Sequence, residues 1–401
     1  MKVVIMAGGK GTRIAEVASD IPKPMIQVCQ KPILEHQIDC LREQGYTDII
    51  LVIGHIGHVI KAYFGNGERF GVNISYYEEK TPLGTAGALA YLKEELTEDF
   101  LLLNGDIVFD IDVKRFADYH KNTGGLVTLL THPNNHPYDS GIIVTDKNMC
   151  VINWMHKEEK REYYKNRVNA GIHMLSPEIL DGITLGEKTD LDRDVLKPLI
   201  PSGKLFAYDS PEYIKDMGTP DRYYSVCKDY EEGKIKAKNL SNKQKAVFLD
   251  RDGTINVYKG FLTNIDDFEL IDGIAEKIRE INESGYLAIV VTNQPVIARG
   301  DCTWEELEEI HNKMETLLGE QGAYVDDIFV CPHHPDKGFE GERIEYKMDC
   351  DCRKPKPGML LEAAKKYNID LSESYMVGDD DRDMEAGKAA GCKCVKVGGK
   401  L

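Results

Sequence analysis

Two aspartates stand two residues apart at the end of an apolar run, in Val247-Phe248-Leu249-Asp250-Arg251-Asp252-Gly253-Thr254. On a turn after a buried strand, one carboxylate can attack phosphorus. The other can protonate a leaving alkoxide and later activate water. Three further stretches carry chemistry of the same kind. Thr292-Asn293-Gln294 ends the next apolar run with groups that hydrogen-bond phosphate, and Arg353-Lys354-Pro355-Lys356-Pro357-Gly358 supplies cations ahead of a helix. Val377-Gly378-Asp379-Asp380-Asp381-Arg382-Asp383 ends another run in carboxylates suited to Mg²⁺.

Cys331-Pro332-His333 and Cys350-Asp351-Cys352 form two short pairs of soft or imidazole donors, a set that can close a tetrahedral structural zinc site. The intervening loop is rich in Gly, Lys and Glu and has no core of its own, so a metal tie makes physical sense. His334 is the rival of His333 as ligand.

The N-terminus holds a second constellation. Gly8, Gly9 and Gly11, in Met6-Ala7-Gly8-Gly9-Lys10-Gly11-Thr12-Arg13, follow an apolar strand directly and allow backbone N–H groups to approach phosphate oxygens. Arg13 adds a charge-assisted fork. Lys23 follows in Pro22-Lys23-Pro24-Met25, Asp106 ends a strand in Leu103-Asn104-Gly105-Asp106, and Asp216 stands in Lys215-Asp216-Met217-Gly218. Nucleotidyl transfer needs metal-held phosphates and cations that neutralise the transition state, and Asp106 with Asp216 suffices for Mg²⁺. Taken alone, each aspartate reads as a turn residue or helix cap before it reads as a ligand.

Elements that alternate apolar runs with amphipathic stretches must position these groups, which predicts α/β layers on largely parallel sheets. Strands are expected at 2–6, 48–53 and 99–104, with helices at 33–45 and 84–95. The second half should carry strands at 245–250, 286–292, 326–330, 374–377 and 393–397, with helices at 272–284, 303–319, 358–367 and 382–390. The polar stretch 231–244 offers little to bury and reads as the end of a helix running into a linker, giving domains at 1–232 and 245–401 around a linker at 233–244. A net charge of −17 argues against nucleic acid or an anionic membrane as the main partner. The ten cysteines are scattered outside the one cluster, which suits a reducing cytoplasm. No apolar run reaches membrane-spanning length, and oligomeric state is left open.

With these pieces in order, residues 1 to about 230 resemble the sugar-1-phosphate nucleotidylyltransferases, especially guanylyltransferases for mannose-like sugars, with a Rossmann-like domain. Pro82-Leu83-Gly84-Thr85-Ala86-Gly87 and Val168-Asn169-Ala170-Gly171-Ile172 carry the resemblance further. It implies that Gly8, Gly9, Gly11, Thr12, Arg13 and Lys23 hold a nucleoside triphosphate, with Arg13 and Lys23 catalytic. It further implies that Asp106 and Asp216 bind Mg²⁺, Gly84 lies near base and ribose, and Lys157, Asn169 and Gly171 face the sugar. His156 stands where that family has glutamate.

Residues 245–398 resemble the haloacid dehalogenase superfamily of phosphatases, in a Rossmannoid domain without a separate cap. The resemblance makes Asp250 the nucleophile and Asp252 the acid/base. Thr292 and Lys354 position the phosphoryl group, with Asn293 beside them, and Asp250, Asp379 and the Asp252 carbonyl hold Mg²⁺. Within that superfamily, the zinc loop (Cys331, His333, Cys350, Cys352) and Cys-Arg-Lys-Pro-Lys-Pro-Gly-Met are similar to heptose bisphosphate phosphatases, with histidinol-phosphate phosphatases as near relatives. Arg299 and Arg353 then face substrate, and Gln294-Pro295-Val296 departs from the Gln-Ser-Gly of that family. Together the resemblances imply removal of the 7-phosphate from a heptose 1,7-bisphosphate, followed by guanylyl transfer from GTP to heptose 1-phosphate. A mannose- or glucose-1-phosphate nucleotidylyltransferase joined to a histidinol-phosphate-like phosphatase is the rival, and a sugar-nucleotide sensor without turnover is a third reading.

Overall fold

A computed structural model of the protein describes residues 1–8, 21–54, 56–338 and 340–398. It divides into two compact units. One comprises Met1–His132, Ile143–Trp154 and Asn169–Asn239, the other Pro133–Ile142, Met155–Val168 and Leu240–Leu401.

In the first unit the strands Asn73–Glu78, Asp48–Ile53, Val3–Met6 and Phe100–Asn104 lie side by side in that order, all parallel. Chain order reverses between Val3–Met6 and Phe100–Asn104, the doubly wound pattern with its switch point at the carboxyl ends of those two strands. Val3 and Ile5 enter one apolar core and Val4 another. Burial on both faces is why the run reads as continuously apolar rather than alternating. Val168–Leu175 runs antiparallel beside Phe100–Asn104, with Ile172 opposite Leu103. A separate ribbon pairs Ile107–Asp110 with Tyr213–Asp216, setting Asp216 opposite Ile107, one residue from Asp106.

The second unit has a five-stranded parallel sheet in the order Asp327–Cys331, Leu287–Asn293, Ala246–Leu249, Tyr375–Gly378, Lys393–Lys396. Its switch point lies between Ala246–Leu249 and Tyr375–Gly378. Helices Ile274–Ser284 and Trp304–Glu320 pack one face and Gly358–Tyr367 and Asp381–Ala390 the other, each within about two residues of the sequence reading.

Two expectations differ from the structure. The helix expected at 84–95 is a 3₁₀ stretch over Gly87–Leu92. Gly84, at φ +84°, bridges to Thr189, and Ala86 N–H donates to the Thr189 carbonyl, so this backbone pairs with a distant loop instead of winding an α-turn. The 231–244 stretch also buries more than its polarity suggests. Ile235 packs with Val28 and Val226, and the Asn239 amide donates to Asp110 at 2.6 Å.

The linear boundary places Pro133–Ile142 and Met155–Val168 with the N-terminal half, whereas their packing groups them with the second unit. The cause is a buried polar cluster on helix Trp304–Glu320. Arg167 pairs with Glu315 at 3.2 Å and donates to the Asp326 carbonyl, while the Tyr164 and Asn166 N–H groups donate to Thr316 and Glu315. These partners alternate with no periodicity that a sequence reader could use. Among the described residues no helix is long and apolar enough to cross a membrane.

Removing one partner of a buried ion pair leaves the other charge uncompensated, a cost of about 3–5 kcal/mol. Glu315→Ala is therefore expected to lower the unfolding transition of the second unit clearly in thermal melts of the whole chain. An unchanged melt would mean that the pair contributes nothing.

Candidate active sites

The first site gathers at the carboxyl end of Val3–Met6. Gly8 follows that strand, and a Cβ there would come 2.9 Å from Glu79 Oε2 and 3.4 Å from the Gly54 nitrogen, so only glycine fits without displacement. Gly9, Gly11, Thr12 and Arg13 lie outside the described residues. Lys23 opens a 3₁₀ turn, Lys23–Met25, and its Nζ stands 2.8 Å from Asp106 Oδ2. Asp216 is gripped by Arg222, which donates to both carboxylate oxygens at 2.8 and 2.7 Å, and by the Gly218 N–H at 2.8 Å. The Met217 N–H donates to the Asp106 carbonyl, holding the two aspartate-bearing strands together. Two hard carboxylates on adjacent backbone fit the oxygen preference of Mg²⁺.

On the adjacent strand, Asn169 Oδ1 accepts from the Gly171 N–H at 3.2 Å. Gly171 has φ +71°, and a Cβ there would collide with the Asn104 amide. The structure thus places Gly8, Lys23, Asp106, Asn169, Gly171 and Asp216 on elements that meet at one end of the sheet. Lys157 lies exposed on a turn within Met155–Val168, a segment grouped with the second unit. The sequence reading missed Arg222 and Glu79. Arg222, three residues past the capping Thr219, had a helix-start signal that could have found it. Glu79 had none, because its approach to Gly8 is tertiary.

The second site surrounds a cavity of about 240 Å³ lined by Asp250, Asp252, Asn293, Gln294, Arg353, Lys354 and Asp379 among others. Lys354 Nζ lies 2.7 Å from Asp250 and 2.6 Å from Asp383. Burial opposes the Lys354 charge, yet Asp250 and Asp383 outweigh it and hold its pKa above the ordinary value. Asp250 is pushed up to about 6, by burial first, with Lys354 pulling the other way and Asp383 adding to the rise. Asp250, Asp379 and Asp383 bring carboxylate oxygens within 4.8 Å of one another. Three carboxylates around one lysine leave negative charge in excess, and this oxygen set fits Mg²⁺. Bound there, such an ion would neutralise phosphate charge and favour the ionised Asp250. A Cβ on Gly253 would strike Asp379, so the glycine of Asp-Arg-Asp-Gly-Thr makes room for that carboxylate.

Asp252 is held differently. Burial would raise its pKa, but the Arg251 charge and hydrogen bonds from Arg251, Asn256 and Gln294 overcome this and leave it lowered. Arg251 is fully buried and donates to both Asp252 oxygens at 2.9 Å, and it also contacts His311 Nε2 at 3.2 Å. His311 is kept neutral, its pKa lowered to about 3 by burial and then by Arg251, so Nε2 can accept.

Thr292 is buried and accepts from Gln294 Nε2 at 2.8 Å. Asn293 clamps the Lys354 backbone from both sides, donating to its carbonyl at 3.0 Å and accepting from its N–H at 3.1 Å, which makes it a support for the lysine as well as a wall. Arg353 lines the cavity and donates to the His333 carbonyl at 3.1 Å. Arg299 stands back from the lining, its guanidinium 4.6 Å from the Phe261 ring centre, and Phe261 itself forms the wall. Tyr258, Phe261, His334 and Arg382 also line it and were not read as cavity residues: Tyr258 and Phe261 lie in a loop with no periodic signal, His334 was weighed only as a zinc ligand, and Arg382 sits in the first turn of helix Asp381–Ala390.

Cys331, His333, Cys350 and Cys352 converge, with S–S distances of 3.6, 3.3 and 3.2 Å and His333 Nδ1 3.3 Å from Cys352. A tetrahedron with Zn–S of about 2.3 Å has edges of about 3.8 Å, so these four donors could hold a zinc ion after small shifts. His334 faces the cavity instead, which separates it from its rival.

Two crevices at strand-order reversals, each lined by carboxylates and cations, define an α/β enzyme of phosphate-ester chemistry with two centres. The chain belongs to the nucleotidyl transferase family, which it matches over residues 2–233, more than half its length, and residues 351–399 match the HAD-hydrolase-like family. It thus carries a nucleotidyltransferase and a phosphatase. Over 156 residues it is 46% identical to a D-glycero-beta-D-manno-heptose-1,7-bisphosphate 7-phosphatase of Photorhabdus laumondii, covering 39% of this chain and 78% of that protein. Mannose-1-phosphate guanyltransferase 2 of Candida glabrata is 33% identical over 224 residues, 55% of this chain and 62% of that one. The crystal structure of HddC from Yersinia pseudotuberculosis superposes with a TM-score of 0.51 at 26% identity, covering 57% of this chain and 99% of that one.

Asp250→Asn is expected to abolish phosphate release and leave nucleotidyl transfer from a supplied sugar 1-phosphate intact, because an amide cannot replace the carboxylate nucleophile. Asp106→Ala should do the reverse. Assaying both reactions on both folded variants checks this, and loss of both activities in either one would contradict independent centres. Metal analysis of freshly purified protein should find about one equivalent of zinc, and a closed four-ligand site leaves hydrolysis dependent on added Mg²⁺ rather than on zinc exchange. Full stability of a Cys350→Ser/Cys352→Ser variant would remove the metal tie.

Proposed function

We propose that this chain performs two consecutive steps of GDP-heptose synthesis. The second unit removes the 7-phosphate of D-glycero-α-D-manno-heptose 1,7-bisphosphate. The first then joins heptose 1-phosphate to GMP from GTP, releasing pyrophosphate. One observation carries the reading: a stretch 46% identical to a heptose 1,7-bisphosphate 7-phosphatase and a fold like that of HddC, solved also with GMP-PN, occur in a single chain. The phosphatase relatives are named for the β anomer. The α anomer is read here from the pairing with a guanylyltransferase-like unit. The same reading takes Mg²⁺ at both centres, structural zinc in the loop, and a cytoplasmic setting that keeps the thiols reduced.

Asp250 would attack phosphorus while the O7 leaving group takes a proton through Asp252, which Arg251 holds ionised in the free protein and which would therefore first take that proton from the bound phosphate monoanion. Asp252 would then accept a proton from the water that opens the aspartyl phosphate, returning Asp250 to its starting state. In the first unit the anomeric phosphate would attack the α-phosphorus of GTP, with Lys23 neutralising developing charge. Guanine presents N–H donors at N1 and N2, and Glu79 offers a carboxylate beside Gly8 whose Oε1 accepts from the Leu83 N–H at 3.1 Å. A carboxylate acceptor there supports guanine over bases with fewer donors on that edge.

A panel crossing four nucleoside triphosphates with several sugar 1-phosphates tests the reading, with phosphate release from α and β bisphosphates measured alongside. Heptose 1-phosphate is expected to exceed mannose 1-phosphate in kcat/KM by about tenfold or more, since one hydroxyl contact satisfied or orphaned is worth at least about 1 kcal/mol. Glu79→Gln should narrow the preference for GTP. Equal efficiency with mannose 1-phosphate would favour the mannose-type reading that the Candida relative suggests, and preference for another triphosphate would remove the GDP assignment.

A further inference from the structure

Along Val168–Leu175, Ala170, Ile172 and Met174 enter the apolar core, so Asn169, Gly171 and His173 share the opposite face of the strand. Asn169 Oδ1 is fixed as an acceptor because the Gly171 backbone N–H, which can only donate, reaches it at 3.2 Å. His173 Nε2 lies 3.1 Å from that same oxygen and must therefore be the protonated nitrogen. Nδ1 is then the bare nitrogen, and among the described residues it has no hydrogen-bond partner, in a residue only 1% exposed. Burial lowers the pKa of this imidazole to about 4, which keeps the ring neutral and the tautomer single. An orphaned buried acceptor is unfavourable, and a native structure that keeps one calls for a reason.

We propose that His173 is a positioning residue for nucleotidyl transfer: its Nε2–H, together with the Gly171 N–H, occupies the Asn169 carbonyl oxygen and turns both amide N–H donors toward the sugar phosphate. Asn169 then reads an acceptor, a hydroxyl or phosphate oxygen of the sugar 1-phosphate, and cannot flip to offer its own oxygen. Leucine or phenylalanine at 173 would fill the space and remove the orphan but leave the amide held by one backbone donor. The inference rests on the proposed nucleotidyl transfer and on Asn169 facing the sugar, as the family resemblance implies, and it is independent of which sugar is used.

The test uses the full chain, GTP and whichever sugar 1-phosphate the wild type turns over, so its failure is separate from failure of the heptose assignment. His173→Phe is expected to raise KM for the sugar 1-phosphate about tenfold with KM for GTP within about twofold, the size of one lost hydrogen-bond contact. Phosphate release from the bisphosphate should be unchanged and the melting temperature equal or higher. His173→Gln, which can present an Nε2–H to the same oxygen, should restore KM to within about threefold. In an Asn169→Ala background, His173→Phe should add nothing further, the non-additivity expected of one group acting through another. An unchanged sugar-phosphate KM in folded His173→Phe would overturn the proposal, as would an equal loss with and without the Asn169 side chain.

Discussion

Parallel strands must be joined by crossovers, and where successive crossovers leave a strand in opposite directions the chain opens a crevice at the carboxyl ends. That topological constraint is met twice here, between Val3–Met6 and Phe100–Asn104 and again between Ala246–Leu249 and Tyr375–Gly378. Every candidate catalytic carboxylate depends on it. Asp250 and Asp252 extend one edge of the second crevice and Asp379 the other, as Gly8 and Asp106 do for the first. The first site adds one separate ribbon, Ile107–Asp110 with Tyr213–Asp216, which brings Asp216 to the same end.

What the crevices hold is charge that bulk water would otherwise screen. In the second, Lys354 is 2% exposed and stays charged only because Asp250 and Asp383 flank it. The same carboxylates would repel one another without it. This mutual dependence leaves a place for a divalent cation and makes Asp250 harder to ionise than an ordinary carboxylate until one arrives. Arg251 gives Asp252 the opposite environment. Two carboxylates two residues apart thereby receive different surroundings: Asp250 becomes a better nucleophile once a cation offsets its burial, and Asp252, held ionised by Arg251, must take up a proton before it can pass one on.

The sheets were legible in the sequence because strands buried on both faces are short apolar runs, and the residues that follow them were legible because turns at strand ends carry Gly, Asp and Asn. Cys331, His333, Cys350 and Cys352 could be grouped from spacing, with the resemblance favouring His333 over His334, and in the fold His334 lines the cavity of the second site. Less was readable where backbone pairs with a remote loop, as Gly84 does with Thr189. The grouping of Met155–Val168 with helix Trp304–Glu320 was invisible, since Arg167 and Glu315 look like ordinary surface charges until they are buried together. Arg299 illustrates a subtler limit: the resemblance set it against substrate, while in the fold it pairs with Asp301 and stacks on Phe261, which itself forms the cavity wall. The His173–Asn169 contact needed coordinates, because a histidine four residues along a strand carries no signature of its own.

The chemistry proposed for the two units is ordered: the phosphomonoester at one end of the sugar is removed before the phosphate at the other end is activated. Following both phosphorus environments by ³¹P NMR, in one tube of intact protein with heptose 1,7-bisphosphate, GTP and Mg²⁺, tests that order most directly. The account predicts that the C7 phosphate resonance converts to inorganic phosphate first, and that pyrophosphate and a sugar-nucleotide diphosphate grow in afterwards from the retained C1 phosphate. Loss of the C1 phosphate to solution, or a nucleotide-sugar that still carries its C7 phosphate as the main product, would contradict it.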